Sequence, residues 1–140
     1  MNELNEIYND MIMDHYLLSP NKKELKEFTH SMMGTNPSCG DEINIKLKIN
    51  NDIIEDMAFT GKGCAISISS TSILIDLIKG KNINEAILLI ENFLKMINKE
   101  TYDKEILSDS IIFENISNLP ARIKCATLAY KTLEKIIKEK

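Results

Sequence analysis

Apolar residues in this chain recur with two distinct periods, and the switches between them mark out the elements. Leu4, Ile7, Tyr8, Met11 and His15 fall at helical spacing, which predicts an amphipathic helix over residues 3–18. Ser19-Pro20-Asn21 ends it, because a proline disfavours helical geometry at the residue before it. The charged segment 22–28 reads as a short helix or loop, and residues 29–34 as a short strand. From Ile43 the period becomes two: Ile43, Ile45, Leu47 and Ile49 alternate with Asn44, Lys46, Lys48 and Asn50, the signature of a half-buried strand. Asn50-Asn51-Asp52 is turn chemistry, and a second strand follows over 53–60, with Ile53, Met57 and Phe59 expected on one face.

After Cys64 the helical period returns. A helix is predicted from about Ser67 to Ile78, stopped by Lys79-Gly80-Lys81. Asn82 or Asn84 caps the next one, which carries Ile87, Ile90, Leu94 and Ile97, with Leu88, Leu89 and Phe93 widening its apolar surface to both flanks. Residues 101–117 fit neither period. Pro120 suits the first turn of a final helix, whose inward face would carry Ile123, Tyr130, Leu133 and Ile137. Helix, small antiparallel sheet, then helices is an α+β sandwich rather than βαβ alternation. At 140 residues, with no internal repeat or linker, the chain is most simply one domain over 1–140.

Composition removes several functions. With 44% apolar and 27% charged residues the chain is an ordinary globular one. A net charge of -4 argues against a nucleic-acid footprint, and four Tyr, four Phe and no Trp leave few platforms for stacking bases. No apolar run reaches the roughly 18 residues of a membrane span. The opening Met1-Asn2-Glu3-Leu4-Asn5-Glu6 lacks a secretory n-region and h-region, so the expectation is a cytoplasmic protein with reduced thiols.

In that setting the three cysteines become the centre of interest. Cys39 stands with Asp41 in Asn36-Pro37-Ser38-Cys39-Gly40-Asp41, Cys64 in Gly61-Lys62-Gly63-Cys64-Ala65, and Cys125 in Pro120-Ala121-Arg122-Ile123-Lys124-Cys125. An odd number of thiols cannot pair off in disulfides, and each cysteine alone is most simply a small buried hydrophobe. Together, three thiolates and a carboxylate complete a tetrahedral zinc sphere. Their summed charge with Zn²⁺ is -2, which calls for compensation by a cation; Arg122, three residues before Cys125 on one helix face, is the first candidate, ahead of Lys124 and Lys62. A hard carboxylate among soft sulfurs suits exchange better than permanent structure. His15 and His30 neighbour no cysteine, so a Cys-His catalytic dyad gains no support, and Met32-Met33 read as core fillers.

The segments Ile12-Met13-Asp14-His15-Tyr16, Asn36-Pro37-Ser38-Cys39-Gly40-Asp41, Gly61-Lys62-Gly63-Cys64-Ala65-Ile66-Ser67 and Pro120-Ala121-Arg122-Ile123-Lys124-Cys125-Ala126-Thr127-Leu128 resemble the SufU branch of the IscU-like iron–sulfur assembly proteins. The resemblance runs in order over nearly the whole chain. It implies an α/β sandwich with a three-stranded antiparallel sheet, and zinc held by Cys39, Asp41, Cys64 and Cys125. It further implies sulfur transfer, with Cys39 accepting persulfide sulfur from a SufS-type cysteine desulfurase and passing it to a downstream scaffold or acceptor. The alternative in the same family is a scaffold that holds iron or an iron–sulfur cluster on the same cysteines. Scaffold-type members carry a histidine immediately before the last cysteine; here that residue is Lys124. The chain departs from the family at Ser19-Pro20-Asn21-Lys22-Lys23, where an arginine and a glycine usually follow the proline.

Overall fold

Three antiparallel strands form a meander in the order β1-β2-β3: β1 His30–Asn36, β2 Asp41–Asn50 and β3 Ile53–Lys62. Helices α1 Glu3–Leu17, α2 Ala65–Ile78, α3 Ile83–Ile97, α4 Lys104–Leu107 and α5 Pro120–Lys138 complete the chain, with 3-10 turns over Ser108–Asn118. The computed structural model describes residues 3–139, and side chains from residue 10 onward. The expected inward positions Leu4, Ile7 and Tyr8 therefore lie outside the described side chains.

The turn between β2 and β3 is the one the sequence asks for. Asn51 and Asp52 both take positive φ, 52° and 62°, which matches the right-handed twist of a two-residue hairpin. Ile43, Ile45 and Leu47 of β2 are fully buried, beside Met57 and Phe59 of β3. Ile53, expected on that face, is instead at the surface, and Ile54 is buried in its place. Ile49 pairs with Ile54 while Lys48 pairs with Asp56, so Glu55 is an extra residue that reverses the alternation. The outer edge of β3 is sealed by backbone bonds from two sides: Lys23 N–H to Phe59 O at 2.9 Å and Gly80 N–H to Ile54 O at 2.7 Å. Residues 22–28 serve as this loop, not as a helix.

Helices α2 and α5 cover the apolar face of the sheet, and α3 packs against α5 and the 3-10 turns. Phe93 of α3 stacks on Tyr130 of α5 with centroids 3.7 Å apart, and meets Phe113 edge-on at 6.3 Å. The final helix starts with Pro120 at its first position and buries Tyr130, Leu133 and Ile137, with Ile123 half-buried against the core. Two further expected core positions are exposed, as Ile53 is: Met33 on the outer face of β1 and Leu88 on the flank of α3. Strand alternation sends neighbouring Met32 and Met33 to opposite faces, so only one of them can fill the interior.

Packing of α5 on β1 sets the depth at which Cys125 sits. At Gly34 an added Cβ would collide with the Thr132 side chain, so the helix approaches closely only because that residue is glycine. Ser70 Oγ of α2 donates to Ala126 O at 2.6 Å, tying α2 to α5 one residue beyond Cys125. At the other helical contact, His15 Nδ1 lies 2.8 Å from Ser72 Oγ, and Asn21 Nδ2 donates to Ser72 O and Asp76 Oδ1. His15 thus pins α1 to α2, as a packing histidine.

Candidate metal centre

The loop from β1 to β2 is closed by Asn36 and Asp41, which face each other across the two strands. Cys39 N–H donates to Asn36 O at 3.2 Å and Gly40 N–H to Pro37 O at 3.3 Å, so the loop is two overlapping turns. Gly40 has φ 70°, the left-handed conformation that glycine adopts without strain, and the space beside its Cα is open. These turns bring Cys39 and Asp41 to the same side. Cys39 is half-buried; its thiol lies 3.9 Å from Ala121 O and also meets the Cys125 thiol.

Asp41 is held much harder. It is 1% exposed, and Oδ1 accepts from Cys64 N–H at 3.0 Å and Ser67 Oγ at 3.0 Å, while Oδ2 accepts from Asn36 Nδ2 at 3.1 Å. A Cβ at Gly63 would strike both Ser67 Oγ and the Asp41 carboxylate, so that glycine lets the carboxylate reach the start of α2. Burying a carboxylate is costly unless donors surround it, and here three do.

Cys64 is the N-cap of α2, its sulfur accepting Ser67 N–H at 3.4 Å. Cys125 is 1% exposed in α5. Burial pushes its thiol well above the usual range, and hydrogen bonding with Cys39, Cys64 and Asp41 and the charge of Cys64 push the same way. The exposed Arg122 in the first turn of α5 has its own pKa raised, by hydrogen bonding with Cys125 and by the charges of Cys64, Cys125 and Cys39. It therefore faces all three thiols from the solvent side.

Among the described residues, the donor atoms of Cys39, Asp41 and Cys125 all lie within 4.8 Å of one another. Three of the four sequence-predicted ligands are thus clustered. The Cys64 sulfur stands beside them on its helix cap, outside that mutual distance. Two sulfurs and one oxygen fit the donor preferences of zinc, and suit iron as well. Sequence reasoning missed Asn36 and Ser67. The first lies inside the same motif as Cys39; the second is a hydroxyl three residues into a helix, where a serine that bonds outward has no helical signature.

A hairpin loop and a helix start that deliver a carboxylate and thiols to a cysteine of the last helix define an α+β domain with a cysteine–aspartate centre. The chain belongs to the NifU-like N-terminal domain family, whose profile matches residues 7–138. It is 43% identical over 133 residues to the zinc-dependent sulfurtransferase SufU of Bacillus subtilis (strain 168), covering 94% of this chain and 90% of that protein. It is also 36% identical to the iron-sulfur cluster assembly scaffold protein IscU of Thermotoga maritima, over 95% of this chain and 94% of that one. Among solved structures, FiSufU from Fervidobacterium islandicum AW-1 superposes with a TM-score of 0.90 at 35% identity, over 95% of this chain and 98% of that one. Among the described residues no helix is long and apolar enough to cross a membrane.

Proposed function

We propose that the chain is a zinc-dependent sulfurtransferase of iron–sulfur cluster assembly, which accepts persulfide sulfur on Cys39 from a SufS-type cysteine desulfurase. The observation that carries this reading is the unequal hold on the donor set. Asp41 and Cys125 are buried and bonded, whereas Cys39 sits half-buried on a glycine hinge, its sulfur a long 3.9 Å from Ala121 O. A purely structural site would anchor all its ligands alike. The likeness to SufU of Bacillus subtilis and Lys124 before the last cysteine support transfer over a cluster scaffold.

Cys39, Asp41, Cys64 and Cys125 would hold the zinc, which supplies the positive charge that keeps thiols ionised at neutral pH. With Cys39 free as a thiolate, its sulfur attacks the outer sulfur of the desulfurase persulfide. A new S–S bond forms at Cys39, the desulfurase S–S bond breaks, and the desulfurase cysteine leaves as a thiolate. No external oxidant or reductant enters. Arg122 offsets the negative charge at the mouth, and Gly40 supplies the backbone freedom for Cys39 to reach outward. The sulfur then passes to a downstream scaffold or acceptor by the same exchange.

The test is desulfurase turnover with Cys39→Ala protein that still contains zinc. Stimulation is expected to vanish, and undiminished stimulation rules out Cys39 as the acceptor. The scaffold reading, favoured by the likeness to IscU of Thermotoga maritima, predicts otherwise: anaerobic reconstitution with iron and sulfide would give a stoichiometric chromophore that an apo-protein can take up.

A further inference from the structure

We propose that Asn36 is a positioning residue that decides which thiol of the centre is released. The proposal rests on the sulfur-transfer reading of the same site, and adds the device that directs it. Asn36 ends β1, is 4% exposed, and directs its amide nitrogen at two ligands at once: Asp41 Oδ2 at 3.1 Å and Cys125 Sγ at 3.5 Å. An amide NH₂ has two N–H donors, and both are used. The two acceptors come from opposite layers of the fold, one from the sheet hairpin and one from α5. A single side chain therefore fastens the buried carboxylate and the buried thiol into one unit.

The charge of the centre gives that bond its weight. With zinc bound, donors aimed at the buried carboxylate and the buried sulfur would relieve part of the excess negative charge where solvent does not reach. Cys39 receives no such bond from Asn36; its sulfur has the long contact to Ala121 O and the neighbouring Cys125 thiol. Asn36 still touches Cys39 in one way: its carbonyl accepts the Cys39 N–H, which fixes where the loop begins to turn. The main chain of Asn36 sets the hinge and its side chain locks Asp41 and Cys125. Cys64 is held separately, by Ser67 N–H at the cap of α2, so the thiol left to move is Cys39.

The test is competitive alkylation of the full zinc-loaded chain. Wild type, Asn36→Ala and the similarly sized, donor-free Asn36→Leu are pulsed with iodoacetamide, and label at Cys39 and Cys125 is counted by mass spectrometry. Wild type should label at Cys39 well ahead of Cys125. Both variants should narrow that ratio by about tenfold and bind zinc about 10- to 100-fold more weakly, the usual effect of removing a partner behind a metal ligand. Far-UV circular dichroism gives the folded fraction, and Asn36→Leu, which fills a similar volume, carries the prediction where the alanine cavity lowers stability. Folded variants with the wild-type labelling ratio overturn the proposal, and so does a weaker zinc site with an unchanged ratio, because Asn36 would then support the centre without selecting a thiol. Equal labelling of both cysteines in wild type overturns it too. None of these readouts uses a desulfurase, so a failure of sulfur transfer itself is seen separately, in the Cys39→Ala turnover assay.

Discussion

Two helix starts in this fold do the same structural task with unequal materials. Helix α3 begins at Asn82, whose side chain accepts Glu85 N–H at 2.8 Å while the Glu85 carboxylate returns to Asn82 N–H at 3.5 Å, a complete capping box. Helix α2 begins at Cys64, whose sulfur accepts Ser67 N–H at 3.4 Å with no acidic residue in the first turn. Sulfur is a weak acceptor, and cysteine is not among the preferred caps. The better cap lies at the end with no chemistry, and the poorer one sits beside Asp41 and Cys125. Aromatic packing joins α3 to α5, while the α2 start trades a strong cap for a thiol.

The largest break to that division should come from the α3 side. Phe93 is fully buried between Tyr130 and Phe113, so Phe93→Ala is expected to cost about 3–5 kcal/mol of folding free energy. Chemical denaturation measures the loss, and zinc per folded chain should stay at the wild-type value. A fall in zinc content at full folding would show that the two regions are not separable. Removing the metal by chelation is the converse cut. The core built from β2, β3, α3 and α5 does not pass through the centre, so far-UV circular dichroism should persist after chelation; a collapse to an unfolded spectrum would mean that metal binding and folding are one event.

The next two substitutions compare the caps directly. Asn82→Ala should lose about 1 kcal/mol, because it removes the acceptor for Glu85 N–H and breaks the box, with zinc retention unaltered. Cys64→Ser replaces a weak cap with a preferred one, so stability without metal should hold or rise by about 0.5 kcal/mol. Zinc affinity should fall in the same protein. Cys64→Ser protein that is less stable than wild type without metal would contradict the account of the α2 start.

What the sequence made legible follows the same line. The expectation of a three-stranded sheet holds, and periodicity located α1, the β2–β3 hairpin, α3 and α5, because each buries one face and writes that burial as a repeat. The phase of β3 was not legible: the bulge at Glu55 depends on how Ile54 meets Ile49 across the ladder, which no local pattern records. Residues 101–117 fitted no period because they form one short helix followed by 3-10 turns. At the centre, the cysteines and Asp41 stood out by type and neighbours. Asn36 and Ser67 did not, because their task arises only when the end of β1 and the start of α2 converge on one carboxylate.

The smallest expected effect lies at the sealed edge of β3, away from both regions, and it gives the comparison a background level. Burial opposes ionisation of Asp56, but its hydrogen bond with Lys79, the bond from Met57 N–H, and the charges of Lys79 and Lys23 outweigh that and leave its pKa below the ordinary value. Lys79 Nζ sits 3.1 Å from Asp56 Oδ1, with both side chains over a third exposed, so screening keeps the pair under about 1 kcal/mol. A carboxylate whose pKa is lower in the folded chain adds stability above its unfolded pKa and loses it as pH falls through the folded value. Asp56→Asn should therefore be slightly less stable than wild type at neutral pH, with the gap closing as the solution is taken below about pH 4. Denaturation midpoints at neutral and acid pH measure it, and a gap that widens in acid would reverse the assigned sign. An effect at neutral pH as large as that of Asn82→Ala would mean that this edge, and not the cap of α3, is the stronger local hold on the sheet.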